Sequence, residues 1–112
     1  ASSVVFVTGH EDSEKKKEDV RWKKLAKSTD TIVIMMGLAR ISKICKQMSE
    51  GGMEKNTPVA VIQDGTTSKQ KMITGTISNI AQKVKQSKIK PPSIIIIGKV
   101  VSLSKTIGWR KK

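Results

Sequence analysis

Pro58-Val59-Ala60-Val61-Ile62-Gln63-Asp64-Gly65-Thr66-Thr67 decides the fold. Its first six residues form an apolar, β-branched run, which reads as a buried strand. Asp64-Gly65 is a turn signal, and Thr66 to Lys69 prolongs the loop. Gln70 to Thr74 then sets Met72 and Thr74 against Lys71 and Ile73, as expected of a half-exposed strand returning antiparallel. The connection is too short for a crossover helix, so the sheet is expected to be mixed rather than all-parallel.

Outward from this hairpin, apolar runs and helical periodicities alternate. Towards the N-terminus, Thr31 to Met36 is a continuous apolar run, read as a strand covered on both faces. Gly37 lets the backbone turn or approach something closely. Leu38, Ile41, Ile44, Cys45 and Met48 recur at steps of three and four and predict a helix stopped by Gly51-Gly52, with Lys43, Lys46 and Gln47 on its wet side. Ser3 to Thr8 reads as another strand, ended by Gly9. Between these two strands Glu11 to Asp19 reads as a polar loop, and Val20 to Ala26 as a short helix with Val20, Leu25 and Trp22 inward.

Towards the C-terminus, Ile77, Ile80, Ala81 and Val84 mark a further helix, with Thr76 as N-cap. Pro91-Pro92 forbids its continuation. Ser93 to Ile97 is the best candidate for the central strand, and Gly98 separates it from a tail of Val100, Val101, Leu103 and Ile107. The expected architecture is therefore α/β, with a mixed sheet of roughly five strands flanked by helices in a single domain over residues 1–112.

Composition narrows the function classes. The 112 residues carry 22 Lys+Arg against 9 Asp+Glu, a net charge of +13. Arg21, Arg40 and Arg110 are the only arginines, and Phe6, Trp22 and Trp109 the only aromatic residues. That is too few for base-specific readout or a stacking platform, so nucleic acid is not the expected partner. The lysines read as a solvated coat that can also steer anions. One cysteine excludes a disulfide scaffold, and no apolar run approaches the roughly 20 residues a membrane helix needs. Residue 1 is Ala rather than Met, which reads as a chain trimmed or cut from something longer. No leader pattern is visible, and with the single thiol this suggests a cytoplasmic protein.

Self-contained catalysis is not visible, and no catalytic residue is assigned. There is no Gly-x-Gly-x-x-Gly, and Gly98-Lys99 lacks the upstream glycine of a phosphate-cradling loop. His10 and Cys45 alone cannot make a metal site. Cys45 lies on the apolar helix stripe and reads as a core residue. Two places remain, Met35-Met36-Gly37 and Gln63-Asp64-Gly65-Thr66-Thr67. Each puts glycine at the carboxyl end of a buried run, the edge where open α/β sheets bind ligands. The plainer alternative is that Gly37 only starts a helix and Gly65 only turns a hairpin.

The same residues carry a family likeness. Val7-Thr8-Gly9-His10, Asp30-Thr31-Ile32-Val33 leading into Met36-Gly37-Leu38, Thr57 to Thr67, Gly75-Thr76, and Pro91-Pro92-Ser93 with Gly98-Lys99-Val100-Val101 and Trp109 follow one another in order. Over nearly the whole chain this resembles the C-terminal half of uroporphyrinogen-III C-methyltransferases, members of the tetrapyrrole (corrin/porphyrin) methylases. The resemblance implies a two-domain, homodimeric enzyme that moves methyl groups from S-adenosylmethionine to uroporphyrinogen III, giving precorrin-2 for sirohaem and cobalamin. It implies cofactor contacts at Met36 and Gly65, with Gln63, Asp64, Thr66 and Thr67 as neighbours.

Departures accompany the likeness. Asp64 stands where the family more often has Asn, and Met35 where an aromatic residue is common. The N-terminal domain, with its Gly-Pro-Gly-Asp loop, is absent from the chain. Half an active site is therefore expected, inactive alone and binding cofactor weakly or not at all. The alternative is a basic binding module for nucleic acid or an acidic partner.

Overall fold

The computed structural model describes residues 3–9, 15–28, 30–63 and 71–101. Five strands form one sheet: β1 (Val4–Thr8), β2 (Thr31–Met35), β3 (Pro58–Gln63), β4 (Lys71–Thr76) and β5 (Ser93–Gly98). Their spatial order is β1-β2-β5-β3-β4, with β5 at the centre. β1 and β2 pair parallel, whereas β5 runs antiparallel to both of its neighbours. β3 and β4 form the expected antiparallel hairpin, from Pro58 opposite Thr76 to Gln63 opposite Lys71. The sheet is mixed because β4 returns antiparallel to β3, while the segments after β1 and β2 hold helices.

Three helices complete the layer: α1 (Lys15–Ser28), α2 (Ile41–Glu50), entered through a 3₁₀ turn Leu38–Arg40, and α3 (Ile80–Gln86). Ile32, Ile34, Val59, Val61, Ile95 and Ile97 point to one side of the sheet, where they meet Trp22 of α1, Ile44 and Met48 of α2 and Ile80 of α3. Each such side chain contributes about 1.5–3 kcal/mol when fully buried, so this layer, not the lysine coat, holds the fold. Burial also pushes the Cys45 thiol from 9.0 up to about 11.

The described helices all lie on that one side, so the apolar run of β2 is not flanked by helices on both faces. Phe6, Val33, Met35, Ile94 and Ile96 lie on the other side, in register across three strands. Phe6 is 67 % exposed, and no strand position on that face carries a charge.

Three local expectations are corrected. α1 begins at Lys15, so Lys15 to Asp19 is helical rather than loop. Lys and Glu are strong helix formers, and their polarity alone was no sign of irregular backbone. Trp22 is fully buried and Leu25 partly so; the side chain of Val20 and residues 11–14 lie outside the described residues. Thr76 ends β4 instead of capping a helix: α3 starts after a turn through Ile77–Asn79, in which the Asn79 side chain accepts a 2.8 Å bond from the Thr76 amide. Finally, Gln47 is buried, at 8 % exposure, not on the wet side of α2.

Candidate functional site

The register places the carboxyl ends of β1, β2 and β3 at one edge of the sheet. Thr8 is level with Met35, Met35 with Ile94, and Ile94 with Ile62 of β3. Only β5 separates the ends of β2 and β3, a gap of about 10 Å. The two corners singled out from sequence thus leave the same edge. Gly65 itself lies outside the described residues, as do Asp64, Thr66, Thr67 and His10. Its segment is anchored there by the paired residues Gln63 and Lys71.

Met36 forms the β2 corner. Its φ is 58°, in the left-handed region that a non-glycine residue rarely occupies, and its side chain is 62 % exposed. A residue held in a disfavoured conformation with its apolar side chain in solvent is better explained by a site than by packing. Gly37, next to it, is buried, and a Cβ there would come 2.7 Å from Ile34 Cγ2. Two nearby features were not read from the sequence. Gly9 donates its amide to the Met35 carbonyl at 2.7 Å and lies so close to Gly37 that an added Cβ would sit 2.7 Å from the Gly37 Cα. The available signal was that Gly9 ends its apolar run just as Gly37 and Gly65 follow theirs. Arg21 crosses from α1, donates to the Thr8 carbonyl at 3.1 Å and lies 4.8 Å over the Trp22 ring, tying the helix to the end of β1.

The β3 side of the edge is braced too. Gln63 Oε1 accepts a 2.7 Å bond from the Lys90 amide, fixing the approach to Pro91-Pro92 and β5. Beside it Ser93 Oγ is buried without a hydrogen-bond partner among the described residues. An apolar side chain in solvent, closely approached backbone and an unsatisfied hydroxyl suit one flank of a nucleoside. No group of three or more His, Cys, Asp or Glu side chains able to hold a metal occurs among the described residues. No helix among them is long and apolar enough to cross a membrane.

A concavity of about 680 Å³ lies at the opposite edge, between Asp30, Gly52, Glu54, Asn56 and Lys99. There β2 and β3 present their amino ends, which is not the side where open α/β sheets carry ligands.

Residues 1–81 match the family described as Tetrapyrrole (Corrin/Porphyrin) Methylases. A sirohaem synthase of Nitrosomonas eutropha is 41% identical over 109 residues, covering 97% of this chain and 22% of the relative. An S-adenosyl-L-methionine-dependent uroporphyrinogen III methyltransferase of Methanosarcina barkeri is 40% identical over 110 residues, covering 98% of this chain and 43% of the relative. The chain therefore spans less than half the length of either. Among solved structures, the uroporphyrin-III C-methyltransferase of Thermus thermophilus complexed with S-adenosylhomocysteine aligns with TM-score 0.71 at 20% identity, over 90% of this chain and 43% of that one. A cobalt precorrin-4 methyltransferase aligns with TM-score 0.76 at 20% identity, over 88% and 41%. These two share the fold.

Proposed function

Because the chain belongs to the tetrapyrrole (corrin/porphyrin) methylases, we propose that it is the C-terminal half of a uroporphyrinogen-III C-methyltransferase and supplies one wall of the S-adenosylmethionine cleft. The observation that carries this reading is the exposed left-handed Met36, at the edge where three strands present their carboxyl ends. Family membership favours it over a basic module for nucleic acid or an acidic partner.

Met36 offers the cofactor an apolar flank, and the buried glycine beside it keeps side-chain bulk away from that surface. Gly65, which lies outside the described residues, is the second cofactor contact that the family resemblance implies. Gln63 holds the end of β3 against Lys90. S-adenosylmethionine, when bound, supplies an electrophilic methyl group on sulfur. No residue of the chain is assigned to proton transfer, so its part is to bind and orient. The N-terminal half completes the cleft and holds most of the tetrapyrrole, and the enzyme works as a homodimer in the cytoplasm.

Calorimetry with S-adenosylhomocysteine tests the half-site reading. The chain alone should bind only in the millimolar range, because one wall leaves most of the ligand in water. Micromolar binding would contradict a shared cleft.

A further inference from the structure

We propose that two copies of this chain join through the free edge of β1, which pairs antiparallel with the partner's β1 so that Val4 faces the partner's Phe6. The proposal gives a surface to the homodimer expected above and otherwise stands on the sheet alone. β1 and β4 are the outer strands. In the parallel β1–β2 pair, the Thr31 amide donates to the Ser3 carbonyl and the Gly9 amide to the Met35 carbonyl, so Ser3 and Gly9 face β2. Alternation along the strand then turns the polar groups of Val4, Phe6 and Thr8 outward. Thr8 shows this, its carbonyl accepting from Arg21 at 3.1 Å. No strand lies beyond Val4 and Phe6 among the described residues, and their side chains are 51 % and 67 % exposed.

The other outer strand is guarded. On β4, Lys83 of α3 donates to the Thr74 carbonyl at 3.0 Å, and the Thr76 amide donates to Asn79 Oδ1 at 2.8 Å. Lys71 begins that strand with a charge. β1, Val-Val-Phe-Val-Thr, holds neither a charge nor a proline, the devices that normally keep an edge from pairing. Charge selects the occupant. At +13, copies of this chain repel one another wherever lysines meet, so they settle on uncharged surface. An acidic partner would gain nothing at β1. The bonding pattern is also self-complementary. Under a two-fold axis through Val5, the amide and carbonyl of Val4 meet the carbonyl and amide of the partner's Phe6, and the reverse. The Thr8 carbonyl keeps Arg21. An aromatic side chain then lies directly opposite a β-branched one, a favoured cross-strand pair. One short strand buries less than the roughly 800 Å² per partner of a stable interface, so the dimer is weak.

Sedimentation velocity of this chain from about 10 μM to 1 mM, the range of weak association, at low and at high salt, tests the pairing. The parent should pass from monomer to dimer within that range. Its affinity should rise at least threefold with salt, because screening removes repulsion between the copies and the contact holds no ion pair. Phe6→Lys, at a largely exposed position, should stay monomeric throughout. Ile94→Lys, 39 % exposed on the same open face but on the central strand, should dimerise within threefold of the parent. Amide hydrogen exchange on the parent needs no variant. Val4 and Phe6 should slow at least fivefold from dilute to concentrated protein, and Met72 on β4 should not. A parent still monomeric at the top of the range, an affinity that falls with salt, or unchanged exchange at Val4 and Phe6 overturns the proposal. Loss of association in Ile94→Lys as well would mean that the copies stack face to face, and overturns it too. The Met36 methyl resonance with S-adenosylhomocysteine, recorded on the same samples, separates the two readings. A Met36 response in a chain that stays monomeric sinks the pairing alone. A dimer without that response sinks the cofactor assignment alone.

Discussion

Replacing Met36 by glycine separates a residue kept for a ligand from one kept for the fold. The left-handed backbone at Met36, φ 58°, costs an L-residue about 1–2 kcal/mol, which glycine does not incur. Glycine gives back about 0.5–1 kcal/mol through its freer unfolded chain. Because Met36 is 62 % exposed, little more than a third of the roughly 1.5–3 kcal/mol of a buried methionine is at stake. These terms nearly cancel, so Met36→Gly should unfold in urea within about 1 kcal/mol of the parent. Met36→Val should lose more than about 1 kcal/mol, since a β-branched residue tolerates this φ poorly. Met48→Ala, at a fully buried position, should lose about 2–5 kcal/mol. Urea unfolding followed by circular dichroism measures all three. A loss beyond about 2 kcal/mol in Met36→Gly would show that the side chain holds the fold, and would refute the argument that it serves a ligand.

Two further outcomes follow from the same structure. Gly9→Ala should cost about 1–3 kcal/mol of unfolding free energy, because the new methyl would lie 2.7 Å from the Gly37 Cα and 3.1 Å from Ile34 Cγ2; an unchanged urea midpoint would mean the two glycines are not in contact. Cys45 gives a pH effect: its thiol rises from 9.0 to about 11 on folding, so the unfolded chain loses that proton first. The contribution is complete below pH 9 and is lost as pH climbs through about 11. The parent should therefore lose stability over that window relative to Cys45→Ala, and parallel curves would show that the thiol is not buried as described.

Much of the fold was legible because apolar periodicity reports burial directly. Ile94 to Ile97, with no polar interruption, could only be central, and β5 is the central strand. The turn signal in the residue types at Asp64-Gly65 implied an antiparallel return, and β4 does pair antiparallel with β3 in a mixed sheet. What escaped lies where local chemistry underdetermines structure. Lys15 to Asp19 serves a helix or a loop equally well until Trp22 is buried beneath α1. Gln47 is polar, yet its place on α2 puts it inside. At the site, a strand-end glycine signals a corner, but the left-handed Met36 beside it is a tertiary fact that no residue type announces. The contact between Gly9 and Gly37 joins residues far apart in sequence, through the register of β1 on β2.

The central claim is that the cofactor meets the carboxyl edge of the sheet, and the methionines report on it at both ends. Met36 marks that edge, Met53 lines the concavity at the opposite one, and Met48 sits in the core. Methyl spectra of methionine-labelled protein, titrated with S-adenosylhomocysteine to millimolar concentration, should move Met36 and leave Met48 and Met53 in place. Movement of Met53 with Met36 unchanged would put the ligand at the wrong end of the sheet and contradict the account.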